Sequence, residues 1–160
     1  MALRDILELG NPILRKQSRQ VKTVDDYINR LLDDMLETMR KANGLGLAAP
    51  QIGVLRRVVV IEHEDEVYEL INPEIVFQEG ENIGVEACLS VPGRAGMVNR
   101  PETVVIRAMD REGKHREYKG EGQLARAFCH ELDHLDGKIY TDLMLEEVDL
   151  DELDDEESID

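Results

Sequence analysis

Apolar residues recur at helical spacing between Asp25 and Lys41, where Ile28, Leu31, Leu32, Met35, Leu36 and Met39 form one broad stripe. The pattern predicts an amphipathic helix over 25–41, opened by Asp25 or Asp26 and stopped near Gly44. Before it, Leu3, Ile6, Leu7 and Leu9 suit a short strand or one helical turn, and Gly10, Asn11 and Pro12 then interrupt the pattern. Residues 44–53, GLGLAAPQIG, carry too much Gly and Pro for regular structure, yet their apolar members predict a buried or cleft-lining loop. Strands are expected at 57–61 (RVVVI) and 67–71, on either side of a turn at EHEDE, with a break at Asn72-Pro73 and a resumption at 75–77. A polar turn at 79–82 follows. Residues 103–110 read as a strand, with 115–118 as its hairpin partner across a turn at 111–113. Glycines 120 and 122 lead into a second helix over 123–136, for which Gly137 is the natural stop. On that helix Leu124, Phe128, Leu132 and Leu135 share the core face, and His130, Glu131 and His134 face a cleft.

These elements show no β-α-β alternation and no internal repeat, so a doubly wound sheet is not expected. The predicted fold class is α+β, with mainly antiparallel strands packed around a central HExxH-bearing helix. A chain of 160 residues with 42% hydrophobic composition forms one domain with one core, built from Leu, Ile, Val, Ala and Met because aromatics are only 4%.

Charge divides the chain unevenly. Ten of its 35 acidic residues and no basic ones fall within 146–160, leaving 25 acidic against 19 basic residues before that point. A catalytic unit over 1–145 and an acidic tail over 146–160 are expected, the tail frayed or held as a short helix by Leu145, Val148, Leu150 and Leu153. A surface of this sign disfavours direct nucleic-acid binding. Two cysteines make no disulfide framework, no apolar run approaches the 18 residues of a membrane span, and the first ten residues resemble neither a secretory nor a transit segment. A cytoplasmic protein is the simplest reading.

The candidate chemistry lies in CHELDH, residues 129–134. His130 and His134, four apart on a helix, present both imidazoles on one face with Glu131 beside them, an arrangement that holds a metal and handles the proton of its water. A further soft ligand completes the set, and Cys88 in EACLS, at a strand-to-turn position, is the leading candidate. Cys129 is turned about 100° away from His130 on the helix and is not expected to join. Asp133 is expected to orient neighbouring groups rather than ligate. Two imidazoles and a thiolate leave a fourth position for water on Fe²⁺, Zn²⁺, Co²⁺ or Ni²⁺. Other readings of the same motif are an endopeptidase whose third ligand is Glu146 or Glu147, and a non-catalytic, metal-stabilised interaction protein.

Three motifs in order, GLGLAAPQ (44–51), EACLS (86–90) and HELDHLDG (130–137), together with NPILRK, SVPGRAG and Arg100-Pro101, resemble the peptide deformylase family across nearly the whole body of the chain. The resemblance implies hydrolysis of the formyl group from N-terminal formylmethionine by metal-bound hydroxide. Its metal ligands would be Cys88, His130 and His134, its general acid/base Glu131, and its oxyanion donors the Gln51 side chain and the Leu89 N–H. Gly44, Leu45 and Gly46 would border the substrate, with Leu45, Leu89 and Ala127 lining the methionine pocket. Glu86 and Arg100 would form an ion pair steadying the Cys-bearing strand. The resemblance also implies Fe²⁺ as the native ion, formylated nascent peptides near the ribosome as substrates, and a monomeric bacterial enzyme of the cytoplasm without direct nucleic-acid or membrane binding. Two positions depart from the family pattern, Ala87 for Gly and Cys129 for Gln. Neither removes a reactive group; the Ala87 methyl is expected to be tolerated if φ is negative and to tighten the site otherwise.

Overall fold

The computed structural model describes residues 2–150. In chain order the elements are α1 (Asp26–Lys41), β1 (Gly46–Ala48), β2 (Val58–His63), β3 (Glu66–Glu79), β4 (Asn82–Cys88), β5 (Val91–Arg100), β6 (Thr103–Met109), β7 (His115–Glu121), α2 (Gln123–Leu135) and β8 (Glu146–Val148). Short 3₁₀ turns lie at Pro12–Arg15, Ala49–Ile52 and Tyr140–Asp142.

The strands form two antiparallel sheets, one of five in the order β1-β2-β3-β6-β7 and one of three in the order β4-β5-β8. Helix α1 begins at its predicted cap, where the Asp25 side chain accepts from the Ile28 N–H at 3.0 Å. Its stop is made by Asn43 in the left-handed region, one residue before the expected glycine. The α1 stripe of Ile28, Leu31, Leu32, Met35 and Met39 packs with Val58, Val60 and Ile71. On the opposite face Leu124, Ala125, Phe128, Leu132 and Leu135 of α2 pack with Val59, Ile61, Leu70, Val104 and Ile106. Successive residues of β2 thus enter different clusters, which is why this strand is an unbroken apolar run rather than an alternating one. Leu14, Val91, Val98, Ile139 and Tyr140 form a third, smaller core beneath the three-stranded sheet.

The α+β class and the antiparallel sheets agree with expectation, but the expected arrangement around a central HExxH-bearing helix needs correction. The metal-binding group is the triad Cys88, His130 and His134, not an HExxH helix. Its thiolate comes from β4 in the second sheet, because two helical imidazoles four residues apart leave the third donor to a facing element.

Local differences have local causes. The expected break at Asn72-Pro73 is a bulge inside one long strand. Asn72 takes φ 52°, and its side chain replaces a strand partner by accepting from the Val21 N–H and donating to the Val21 carbonyl, each at 2.8 Å. The Gly-rich stretch after α1 contains β1 and a 3₁₀ turn, with only its ends irregular. The strand-to-turn position expected at Cys88 is present, but the turn is only Leu89-Ser90, after which the chain continues as β5. Gly96 within it has no room for a side chain, because a Cβ there would collide with Met144. Residues 3–9 form neither strand nor helix, although Leu7 N–H reaches the Gln51 carbonyl and Leu9 N–H that of Ser90. Between β2 and β3 lies a two-residue turn, Glu64-Asp65, with both φ values positive at 50° and 67°.

In the acidic segment, Glu146–Val148 pairs with β5 as β8 rather than forming a helix, and Glu147 bonds Arg94. The remainder of the expected frayed or helical tail, 151–160, lies outside the described residues. Among the described residues no helix is long and apolar enough to cross a membrane.

Replacing Asn72 by Ala removes two hydrogen bonds and places a Cβ-bearing, non-bonding residue in the left-handed region. Urea unfolding is expected to show a loss of about 2–3 kcal/mol with an unchanged m-value. An unaltered midpoint would show that the bulge is not stabilised by this side chain.

Candidate metal centre

The last residue of β4 and two residues on one face of α2 meet between the sheets. The donor atoms of Cys88, His130 and His134 lie within 4.8 Å of one another, and Cys88 Sγ is 3.3 Å from His134 Nε2. His130 is oriented by Glu86, whose Oε1 accepts from Nδ1 at 2.8 Å. A carboxylate can only accept, so the proton sits on Nδ1 and Nε2 is left free for a metal.

Glu86 is itself held in place. Arg100 grips it with two hydrogen bonds of 2.7 and 2.9 Å, and Arg126 adds a third of 2.9 Å. Burial pushes the Glu86 carboxyl up, but the Arg100 guanidinium and His130 outweigh it and hold the group down at about 2. Arg100 also donates to Asp133 at 2.7 Å, so Asp133 orients this network and does not ligate. Arg126 reaches the Val98 and Asn82 carbonyls as well, clipping the β4–β5 hairpin onto α2.

Glu131 is buried beside the triad, with Oε2 4.0 Å from His130 Nε2. Burial pushes its carboxyl up to about 7. Among the described residues its Oε1 accepts no hydrogen bond, so one carboxylate oxygen remains available for a proton in transit. Burial would lower the His130 pKa, but Glu131, Cys88 and Glu86 outweigh it and hold the ring well above its ordinary value. Burial, assisted by His130, keeps His134 well below its own. Negative groups that favour a proton on His130 favour a cation in the same place, and a neutral His134 is the form that ligates. The residues present therefore fit a divalent metal.

Opposite Glu131, the buried Gln51 has its amide fixed at both ends. Its Oε1 accepts from the Ala48 N–H at 2.9 Å, and its Nε2 donates to Ser90 Oγ at 3.0 Å while lying 3.5 Å from Cys88 Sγ. Leu89 follows Cys88 in the turn between β4 and β5, which sets its backbone N–H at the ligand end of the strand.

Of the expected substrate-bordering residues, Gly46 is set against Glu131 so closely that a Cβ would lie 2.7 Å from Oε2, and one on Gly44 would meet Leu89. Leu45 and Ala127 share the α2 cluster, whereas Leu89 packs with the α1 cluster. Ala87 is exposed and its φ is not positive, so its methyl group neither tightens the site nor strains the strand. Cys129 stands outside the triad, unoxidised, its thiol pushed up to about 11 by burial. The downstream alternative ligand Glu147 is occupied by Arg94, and neither it nor Glu146 joins a metal-binding group among the described residues.

Arg126, Ser90 and Tyr140 escaped the sequence reading. Arg126 lies one helical turn before His130 on the same face of α2, and that spacing was the available signal. Ser90 had only its place at the end of EACLS, and Tyr140, whose ring stacks on His130 at 6.0 Å, carried no signal.

Hydrolysis by an activated water requires soft donors with a coordination position to spare, an adjacent proton carrier and fixed donors for a developing negative charge. That combination places this chain among the metal-dependent amide hydrolases. A family profile for polypeptide deformylase matches residues 3–149. The peptide deformylase of Acetivibrio thermocellus is 57% identical over 96% of this chain and 90% of its own length. That of Caldanaerobacter subterraneus is 50% identical over 96% of each. Crystal structures of the deformylases from Legionella pneumophila (46% identity, TM-score 0.87, 89% of this chain and 86% of that one) and Thermotoga maritima (32%, 0.88, 90% and 99%) share the fold. The chain belongs to the peptide deformylase family.

Glu86→Gln leaves two buried guanidiniums without their carboxylate and is expected to cost about 3 kcal/mol at pH 7. The Glu86 carboxyl falls from an ordinary 4.5 to about 2 on folding. Its contribution is therefore complete above pH 4.5 and is lost as pH falls towards 2. Urea unfolding of the metal-free proteins should show the gap between wild type and variant closing across that window. A gap independent of pH would show that the charge of Glu86 is not what stabilises the junction.

Proposed function

We propose that this protein removes the formyl group from the N-terminal formylmethionine of newly made peptides and releases formate. The observation that carries this reading is the convergence of Cys88, His130 and His134 next to a buried Glu131 that keeps one carboxylate oxygen unpartnered.

Cys88, His130 and His134 would hold a divalent metal, which would supply the Lewis acidity that lets water act as a nucleophile near neutral pH. Fe²⁺ is the ion expected in the cell, with Zn²⁺, Ni²⁺ or Co²⁺ substituting in purified protein. Glu131 takes the proton of the attacking water and returns it to the amine as the C–N bond breaks. Gln51 Nε2 and the Leu89 N–H donate to the carbonyl oxygen as negative charge builds on it. Gly44, Leu45 and Gly46 border the substrate on one side, and Ala127 with Leu45 contributes apolar surface for the methionine side chain. Gly46 has a further reason to lack a side chain, since one would push Glu131 from its place.

The substrates are formylated nascent peptides met near the ribosome in a bacterial cytoplasm, and the enzyme acts as a monomer. The acidic segment 146–160 solvates a catalytic unit over 1–145 and disfavours direct RNA contact.

The test is formate release from formyl-Met-Ala-Ser by anaerobically prepared, Fe²⁺-loaded protein, with Glu131→Gln alongside. Wild type is expected to turn over. The variant should retain about one metal per chain and lose kcat by about 10³–10⁴-fold, the upper part of the usual range for a general acid/base because Glu131 is asked to act in both directions. Turnover at the wild-type rate by the variant would remove Glu131 from the mechanism. No turnover by metal-loaded wild type would overturn the substrate assignment.

A further inference from the structure

Gln51 must present an N–H, not its carbonyl, to the reacting oxygen, and a side-chain amide can flip end for end. The two ends are fixed differently here. Oε1 is set by the backbone N–H of Ala48, three residues away. Nε2 is set by Ser90, which comes from the other side of the site. Ser90 is fully buried and follows Cys88 by two residues, so one short turn carries both a metal ligand and the partner of the oxyanion donor. Its backbone carbonyl accepts from the Leu9 N–H at 2.8 Å, which anchors the turn to the N-terminal segment independently of the hydroxyl.

An amide nitrogen has two hydrogens. One is donated to Ser90 Oγ at 3.0 Å, and the other is donated to Cys88 Sγ at 3.5 Å, a long contact to a metal ligand from which it can pass to an oxygen developing beside that sulfur. We propose that Ser90 is a positioning residue for deformylation, whose hydroxyl oxygen fixes the Gln51 amide so that its second N–H points at the developing oxyanion. This rests on the deformylase reading and on the role given there to Gln51. Preorganisation is the physical content. A donor already aimed when the charge develops needs little rearrangement in the transition state, whereas an amide held only through Oε1 by the Ala48 N–H can swing its nitrogen end away from the anion.

The experiment is a double-mutant cycle on Fe²⁺-loaded protein with formyl-Met-Ala-Ser, comparing wild type, Gln51→Ala, Ser90→Ala and the double variant, with Ser90→Thr as the conservative replacement. Gln51→Ala should lower kcat by about 10²–10³-fold. Ser90→Ala should lower kcat by about 10–100-fold, with little change in KM and with metal content retained. Ser90→Thr, which keeps the hydroxyl oxygen, should recover most of the activity. In the Gln51→Ala background, Ser90→Ala should cost almost nothing more, because there is no amide left to aim.

The outcomes separate the two readings. A normal kcat for Gln51→Ala defeats the role of Gln51 and this inference with it. Impaired Gln51→Ala with additive losses in the double variant defeats the Ser90 inference alone, since a structural role would lower activity whatever residue 51 is. If wild type releases no formate, the Gln51 side-chain amide resonances still decide whether Ser90 holds the amide. They should exchange slowly in wild type and become broadened or fast-exchanging in Ser90→Ala, and unchanged resonances overturn the inference.

Discussion

The carboxylate of Glu86 is the point through which the second sheet, α2 and the metal ligands are joined. It lies on β4 two residues before Cys88, accepts from His130 on α2, and is gripped by Arg100 from β5 and Arg126 from α2. A single buried negative charge among three donors is stable only while all of them are present, since an unpaired guanidinium or carboxylate at this depth costs several kcal/mol. The same contacts therefore secure the sheet on the helix and select which nitrogen of His130 faces the ligand position. Stability and ligand geometry are two readings of one arrangement of charges.

Around that junction the apolar cores act as supports. The five-stranded sheet is covered by α1 on one face and α2 on the other. Its edge strand β1 brings Gly46 against Glu131, and the 3₁₀ turn that follows brings in Gln51. The three-stranded sheet supplies Cys88, Leu89 and Ser90 at the tip of its β4–β5 hairpin. Reactive groups arrive from both sheets and one helix, so the backbone of each is backed by its own apolar packing while the Glu86 junction couples the side chains. Rigid backing together with that coupling lets a site with several buried polar groups hold its shape.

Much of this was legible in the sequence where a single periodicity governs an element. Both helices were visible because each has one apolar face, and β6 because Val104, Val105 and Ile106 precede a polar turn at 111–113 that hands the chain to its partner β7. The residues brought together as candidate ligands followed from the spacing of two histidines and from motif resemblance, not from any local pattern around Cys88. Strand β5 was hidden because Pro92, Gly93 and Gly96 resemble a turn, although Gly96 is required by the closeness of Met144. Asn72 was read as an interruption because a side chain imitating a strand partner has no periodic signature. Arg126 was passed over since buried arginine is explained only by what surrounds it in three dimensions, and Ser90 for the same reason.

The two-residue turn Glu64-Asp65 has a bearing on folding fidelity. Val58, Val59, Val60 and Ile61 are all apolar, so sliding β2 by one residue would exchange one hydrophobic surface for another with little penalty in solvation. Hydrophobicity is thus silent about alignment in the strand at the centre of the core. The information resides in the hairpin, whose paired positive φ values fix His63 opposite Glu66 and so number every partner along the ladder. Through Gly46, aligned with Ile61, that numbering reaches the carboxylate of Glu131. A slip there would leave a well-buried molecule with a misaligned active centre, an error that compactness alone would not reveal.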